Sequence, residues 1–113
     1  MRNKKTNTDD QHLANSFVDK ARLVLGDNLE RAYWFGSRSR GDGEPDSDFD
    51  LMLETVTPVT EKMRDKVADI SIDMAADYGV LMDVHFYSSG LLQNPLIARS
   101  PFILSVHEEG IRI

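Results

Sequence analysis

Two short blocks hold the residue types best able to do chemistry, Gly36-Ser37 and Asp48-Phe49-Asp50, with ten residues between Ser37 and Asp48. A glycine where an apolar run stops frees backbone amides that can hold phosphate oxygens, and a helix opening behind it adds its dipole. Arg38 and Arg40 follow as a local basic patch that could meet one triphosphate, although Arg38 reads equally well as a solvated side chain. The Walker form is absent, because no Gly-Lys-Ser/Thr comes next. Asp48 and Asp50 are two residues apart, so on a strand they point the same way. Asp is disfavoured inside an apolar strand, and two like charges on one face repel unless something positive lies between them. A divalent cation is the simplest counter-charge, and oxygen ligands of this kind suit magnesium. The plain alternative is a solvated strand end, since turns are rich in Asp. Asp46-x-Asp48-x-Asp50 also imitates an EF-hand, but the glycine and twelfth-position glutamate that motif requires are replaced by Leu51 and Thr57, and it is rejected.

The surrounding periodicities say which elements must position these blocks. Leu13, Phe17, Ala21 and Val24 recur at helical spacing between Asp9-Asp10 and Gly26, predicting a packing helix over 10–25 with no chemistry on it. Arg31-Ala32-Tyr33-Trp34-Phe35 reads as a buried strand that stops at Gly36. Residues 41–47, with two glycines and a proline, read as loop. In the strand from Asp48 to Glu54, Asp48, Asp50 and Met52 share one face while Phe49, Leu51 and Leu53 form the core face. Val59, Met63, Val67, Ile70, Met74 and Tyr78 step as one helix face, ended by Gly79. A third strand over 80–87 puts Val80, Met82, Val84 and Phe86 on one side and Leu81, Asp83, His85 and Tyr87 on the other. Residues 91–99 are ambiguous around Pro95. Ser100-Pro101 opens a last helix towards Glu109-Gly110, and Ile111-Arg112-Ile113 forms a short final strand. The order α-β-β-α-β-α-β predicts an α/β (α+β) domain over 9–113, a small sheet with helices packed on it, behind a disordered lead-in at 1–8.

Composition narrows the function. A chain of 113 residues, 41% hydrophobic and 28% charged, is one globular domain and not a disordered tail. A net charge of -6 argues against general nucleic-acid binding. With no cysteine, disulfides, zinc-thiolate sites and thiol catalysis are excluded. The polar N-terminus and the lack of any apolar run near the ~20 residues a membrane span needs predict a soluble cytoplasmic protein. His85 shares a face with Asp83 and either borders the site or is a half-buried, hydrogen-bonded histidine; His12 and His107 look incidental, and Trp34 reads as core.

Phe35-Gly36-Ser37, Gly41 and then Ser47-Asp48-x-Asp50-Leu51, at this spacing, resemble the DNA polymerase beta-like nucleotidyltransferase superfamily. Within it the chain resembles the minimal nucleotidyltransferases, the antitoxin partners of HEPN-domain toxins. The signature covers about residues 33–53; Ser39 stands where the family often has alanine, while Arg40 and Gly41 match. The resemblance implies a nucleotidyltransferase fold with a mixed sheet. It also implies Asp48, Asp50 and Asp83 as ligands of Mg²⁺ (two ions), and Gly36, Ser37 and Arg40 as holders of the ATP phosphates. Asp83 would help deprotonate an acceptor hydroxyl. The implied reaction is in-line attack on the α-phosphorus with release of pyrophosphate, in a site that positions and neutralises. Since the core fills nearly the whole sequence, the acceptor surface is expected on another molecule. The implied one is a HEPN toxin ribonuclease receiving AMP on a tyrosine. A homodimer adenylylating an aminoglycoside-type small molecule is the alternative of the same fold, and an antitoxin that masks its partner without chemistry is the alternative of another class. The intact Asp-x-Asp speaks against masking, which needs no clustered carboxylates.

Overall fold

The computed structural model of the chain describes residues 8–41 and 48–113. The elements run α1 (Thr8–Leu25), a 3₁₀ turn (Gly26–Asn28), β1 (Leu29–Phe35), β2 (Phe49–Thr55), α2 (Glu61–Tyr78), β3 (Met82–Ser88), α3 (Ser89–Leu92), α4 (Pro95–Ala98), α5 (Pro101–Glu109) and β4 (Ile111–Arg112). The predicted order holds, with two single-turn helices added in the stretch around Pro95. Their starts are local: the side chain of Ser88 accepts from the Leu91 amide, and that of Asn94 from the Leu96 amide, with proline as the first helical residue of α4. α2 begins two residues later than its apolar period, because Thr60 caps it by accepting from the Met63 amide. The lead-in expected at 1–8 falls outside the described residues except for Thr8, which opens α1; of the loop expected at 41–47, only Gly41 is described.

The strands form one mixed sheet in the order β3-β2-β1-β4. β1 is antiparallel to β2 and to β4, while β2 and β3 are parallel, joined through α2. The face carrying Phe49, Leu51 and Leu53 packs against Phe17, Val18 and Ala21 of α1 and Val67 and Met74 of α2. Trp34 lies in this core, stacked on Phe49 with ring centroids 5.7 Å apart. The opposite face is covered as well: Met52, on the same side as Asp50, is fully buried with Ile103 and Val106 of α5. Helices therefore lie on both sides of the sheet. β3 is an edge strand, and none of its residues is fully buried. No helix among the described residues is long and apolar enough to cross a membrane.

α5 is tied to the sheet by a polar contact as well as by Ile103 and Val106. His107 Nε2 lies 2.6 Å from Glu54 Oε2, and Arg31 Nη1 donates to Glu54 Oε1 at 3.3 Å. Glu54 is almost wholly buried, so two cationic or hydrogen-bonding partners are what make its position tolerable. His107, expected to be incidental, is thus a structural contact that helps hold the helix over the strand ends.

Candidate active site

β1 ends at Phe35, and Gly36 turns the chain with φ of 88°, a left-handed value that favours glycine. The turn closes on itself. The Arg40 amide donates to the carbonyls of Gly36 and Ser37 at 3.4 and 3.2 Å, and the Gly41 amide to that of Arg38 at 3.2 Å. The helix imagined behind Gly36 is therefore a single 3₁₀-like turn. Ser39 is buried at its centre and donates its hydroxyl to the Gly36 carbonyl at 2.8 Å, so the serine that replaces the more usual alanine has a bonded place.

Arg38 is not the solvated side chain of the plain reading. Its Nε and Nη2 donate to the two carboxylate oxygens of Asp10 in α1, at 3.0 and 3.4 Å, and its guanidinium carbon stands 4.5 Å from the Phe49 ring centroid. Both partners of the pair are largely buried. Arg38 is therefore a brace that fastens the turn to α1. Arg38→Ala is expected to lower Tm by roughly 5–10 °C, the loss of a partly buried bidentate pair and a cation–π contact worth about 1–2 kcal/mol. A variant with unchanged Tm and a weakened affinity for ATP would return Arg38 to the phosphates; thermal melting and nucleotide titration read the two.

The carboxylates come together through strand register. Asp50 pairs with Phe35 on β1 and with Asp83 on the parallel β3, so Gly36, Asp50 and Asp83 meet at one end of the sheet, with Asp48 just before β2. Gly36 and Asp50 approach so closely that a Cβ on Gly36 would overlap Asp50 Oδ2 and stand 3.1 Å from its Cγ. Burial, the Asp83 charge and the Asp48 charge push the Asp50 carboxyl above its ordinary value, with a hydrogen bond to Asp83 adding to the effect and His85 opposing it. The Asp83 carboxylate is half exposed, and His85 Nε2 lies 3.3 Å from its Oδ2. Among the described residues no group of three or more acidic or histidine side chains is placed to hold a metal ion. What the three aspartates make is an open, electronegative strand end whose oxygen donors are of the kind that suits a hard divalent cation, which would relieve the repulsion on Asp50. Arg40 is exposed and lines a groove of about 390 Å³ with Phe35, Gly36, Ser39, Phe102 and Glu109, running from the turn along α5.

Residues 18–108 match the sequence profile of the family described as "Nucleotidyltransferase domain". The chain belongs to that family. As a nucleotidyltransferase it is 27% identical over 90 residues to a Methanocaldococcus jannaschii protein provisionally named a protein adenylyltransferase, covering 80% of this chain and 84% of the relative. Three solved structures share its fold. One is the toxin–antitoxin pair MntA–HpeT in a mutant with two aspartates, two residues apart, changed to glutamate (TM-score 0.59, 16% identity, 87% of this chain and 69% of that one). Another is a tri-AMPylated Shewanella oneidensis HEPN toxin in complex with its MNT antitoxin (TM-score 0.54, 16% identity, 90% and 69% covered). The third is a toxin–antitoxin with AMP-PNP (TM-score 0.56, 18% identity, 86% and 69% covered). At such identities the likeness is one of fold.

Proposed function

We propose that this nucleotidyltransferase moves AMP from ATP to a hydroxyl of a partner protein, and that the partner is a HEPN-domain toxin ribonuclease modified on tyrosine. The observation that carries the reading is the convergence of the Gly36 turn with Asp50 and Asp83 at one strand end. Gly36 and Ser37 bind the β and γ phosphates through the turn, and Arg40 adds a charge contact. Asp48, Asp50 and Asp83 would hold Mg²⁺, which when bound neutralises charge on the triphosphate and on the leaving oxygen. Asp83, the half-exposed carboxylate, takes the proton of the acceptor hydroxyl. The freed oxygen bonds to the α-phosphorus, the bond from that phosphorus to the β-phosphate oxygen breaks, and pyrophosphate leaves. The relative named as a protein adenylyltransferase supports a protein acceptor, and the AMPylated toxin complex sharing the fold supports a HEPN partner.

The test is incubation with α-labelled ATP, Mg²⁺ and the HEPN-domain protein proposed as its partner. Label on that protein is the expected result. Inhibition of the ribonuclease with no label would leave masking as the explanation. Arg40→Ala is expected to raise the KM for ATP about tenfold, the worth of one charge-assisted hydrogen bond; an unchanged KM would take Arg40 out of the triphosphate site.

A further inference from the structure

Three rings stand beside the carboxylates, and the transfer chemistry above gives them no role. Phe35 ends β1, His85 follows Asp83 on the same face of β3, and Phe102 lies in the first turn of α5. Their centroids are mutually 5.4–5.8 Å apart, and Tyr87 extends the group at 6.0 Å from Phe102. A purely packing cluster would be buried, as Met52, Ile103 and Val106 beneath it are. These rings are only partly covered, and the His85 side chain keeps 36% of its exposure. They also lie towards the open side of the site, where β3 is the sheet's edge and Leu81, on the same face as Asp83, is 58% exposed.

We propose that His85 and Phe102, backed by Phe35, form the acceptor-side wall of the site and select an aromatic hydroxyl, a phenol, as the group that receives the nucleotide. The proposal rests on the adenylyl-transfer reading and adds to it the residues that recognise the acceptor. Asp83 and His85 are one pleat repeat apart, about 6.6–6.8 Å along the strand. His85 Nε2 nevertheless lies 3.3 Å from Asp83 Oδ2, so a ring seated on His85 and Phe102 would lie beside the Asp83 carboxylate, within reach of its hydroxyl. An aliphatic hydroxyl brings no surface to cover the two rings. A phenol covers them in the tilted geometry that aromatic pairs prefer, the geometry His85 and Phe102 already show at 52°. The HEPN-domain partner would present such a tyrosine across the β3 edge, the side that Leu81 leaves apolar.

The experiment follows steady-state transfer of labelled AMP to the HEPN-domain protein at varied concentration, with ATP affinity and Tm measured on the same proteins. Phe102→Leu keeps an apolar anchor for α5 while removing the ring, and His85→Phe keeps a ring while removing the imidazole. Phe102→Leu and His85→Ala are expected to raise the KM for the acceptor about tenfold, the scale of an aromatic contact of this kind, with ATP affinity unchanged. His85→Phe is expected to stay near the parent value. An unchanged acceptor KM overturns the proposal. So does a loss of ATP affinity as large as the rise in acceptor KM, or a His85→Phe variant that behaves like His85→Ala. If the unaltered protein labels nothing, the transfer reading itself falls and takes the wall with it, an outcome distinct from selective acceptor loss.

Discussion

Asp50→Asn is expected to lose transfer by about three orders of magnitude, roughly 4 kcal/mol of transition-state stabilisation, and yet to melt higher than the parent protein. The two effects have one cause. Asp50 is held against Asp83 and near Asp48, and burial and repulsion raise its carboxyl above the ordinary value of 3.8. The folded state therefore holds that proton more tightly than the unfolded chain, so ionising Asp50 opposes folding. The penalty is absent below the unfolded value, grows as pH rises towards the raised one, and is complete above it. Asparagine removes the charge and can still donate to Asp83. Because the group is only partly buried, the gain is discounted for solvent screening to under about 1 kcal/mol, or ~2–5 °C in Tm. The gap between variant and parent should close as pH falls through the window above 3.8. Added Mg²⁺ should raise the Tm of the parent and leave the variant little changed. A variant that melts lower at pH 7 would show Asp50 to be a structural carboxylate, and the site would lose its centre.

That electrostatic conflict was half legible from sequence. Alternation alone puts Asp48 and Asp50 on one face, and Phe49, Leu51 and Leu53 did prove to be the core side. Alternation cannot say whether a second layer covers the other face. Met52 sits with the aspartates yet is buried by Ile103 and Val106, which come from a helix some fifty residues on. Asp83 could be placed on a strand from its apolar neighbours, but its pairing with Asp50 depends on where the parallel crossover through α2 sets the register. Arg38 and His107 were beyond local reasoning altogether. Their partners, Asp10 and Glu54, are 28 and 53 residues away, and no spacing rule connects them. Short helices are a different kind of miss: the Asn94-Pro95 start signal was present, but four residues are too few to show a period. The features read well were those whose cause lies within one or two turns of chain. The features missed were set by what packs against what.

Gly36→Ala is expected to cost transfer as well as stability, and a comparison with Gly79→Ala shows why. Both glycines have positive φ, 88° and 69°, so alanine at either meets the left-handed penalty of about 1–2 kcal/mol. At Gly79, which caps α2, a new Cβ meets nothing within 4 Å. There the strain is the whole effect: Tm falls by roughly 4–10 °C and transfer is preserved. At Gly36 the new Cβ would overlap the Asp50 carboxylate and stand 3.3 Å from the Asp50 Cβ. Asp50 is on a central strand paired on both sides, so its backbone is held in register with Phe35 and Asp83 and only its side chain can yield. Either the turn moves off the strand end or the carboxylate rotates away, and both separate the phosphate-binding turn from the carboxylates. A displacement of about 1 Å at such a site is enough to lose about a hundredfold in rate. Transfer should therefore fall at least that far in Gly36→Ala, with a drop in Tm larger than that of Gly79→Ala. Equal loss of stability with activity retained would mean that the turn and Asp50 do not act together. In that case the closeness of Gly36 to Asp50 would be packing alone, and the phosphates would have to be held elsewhere.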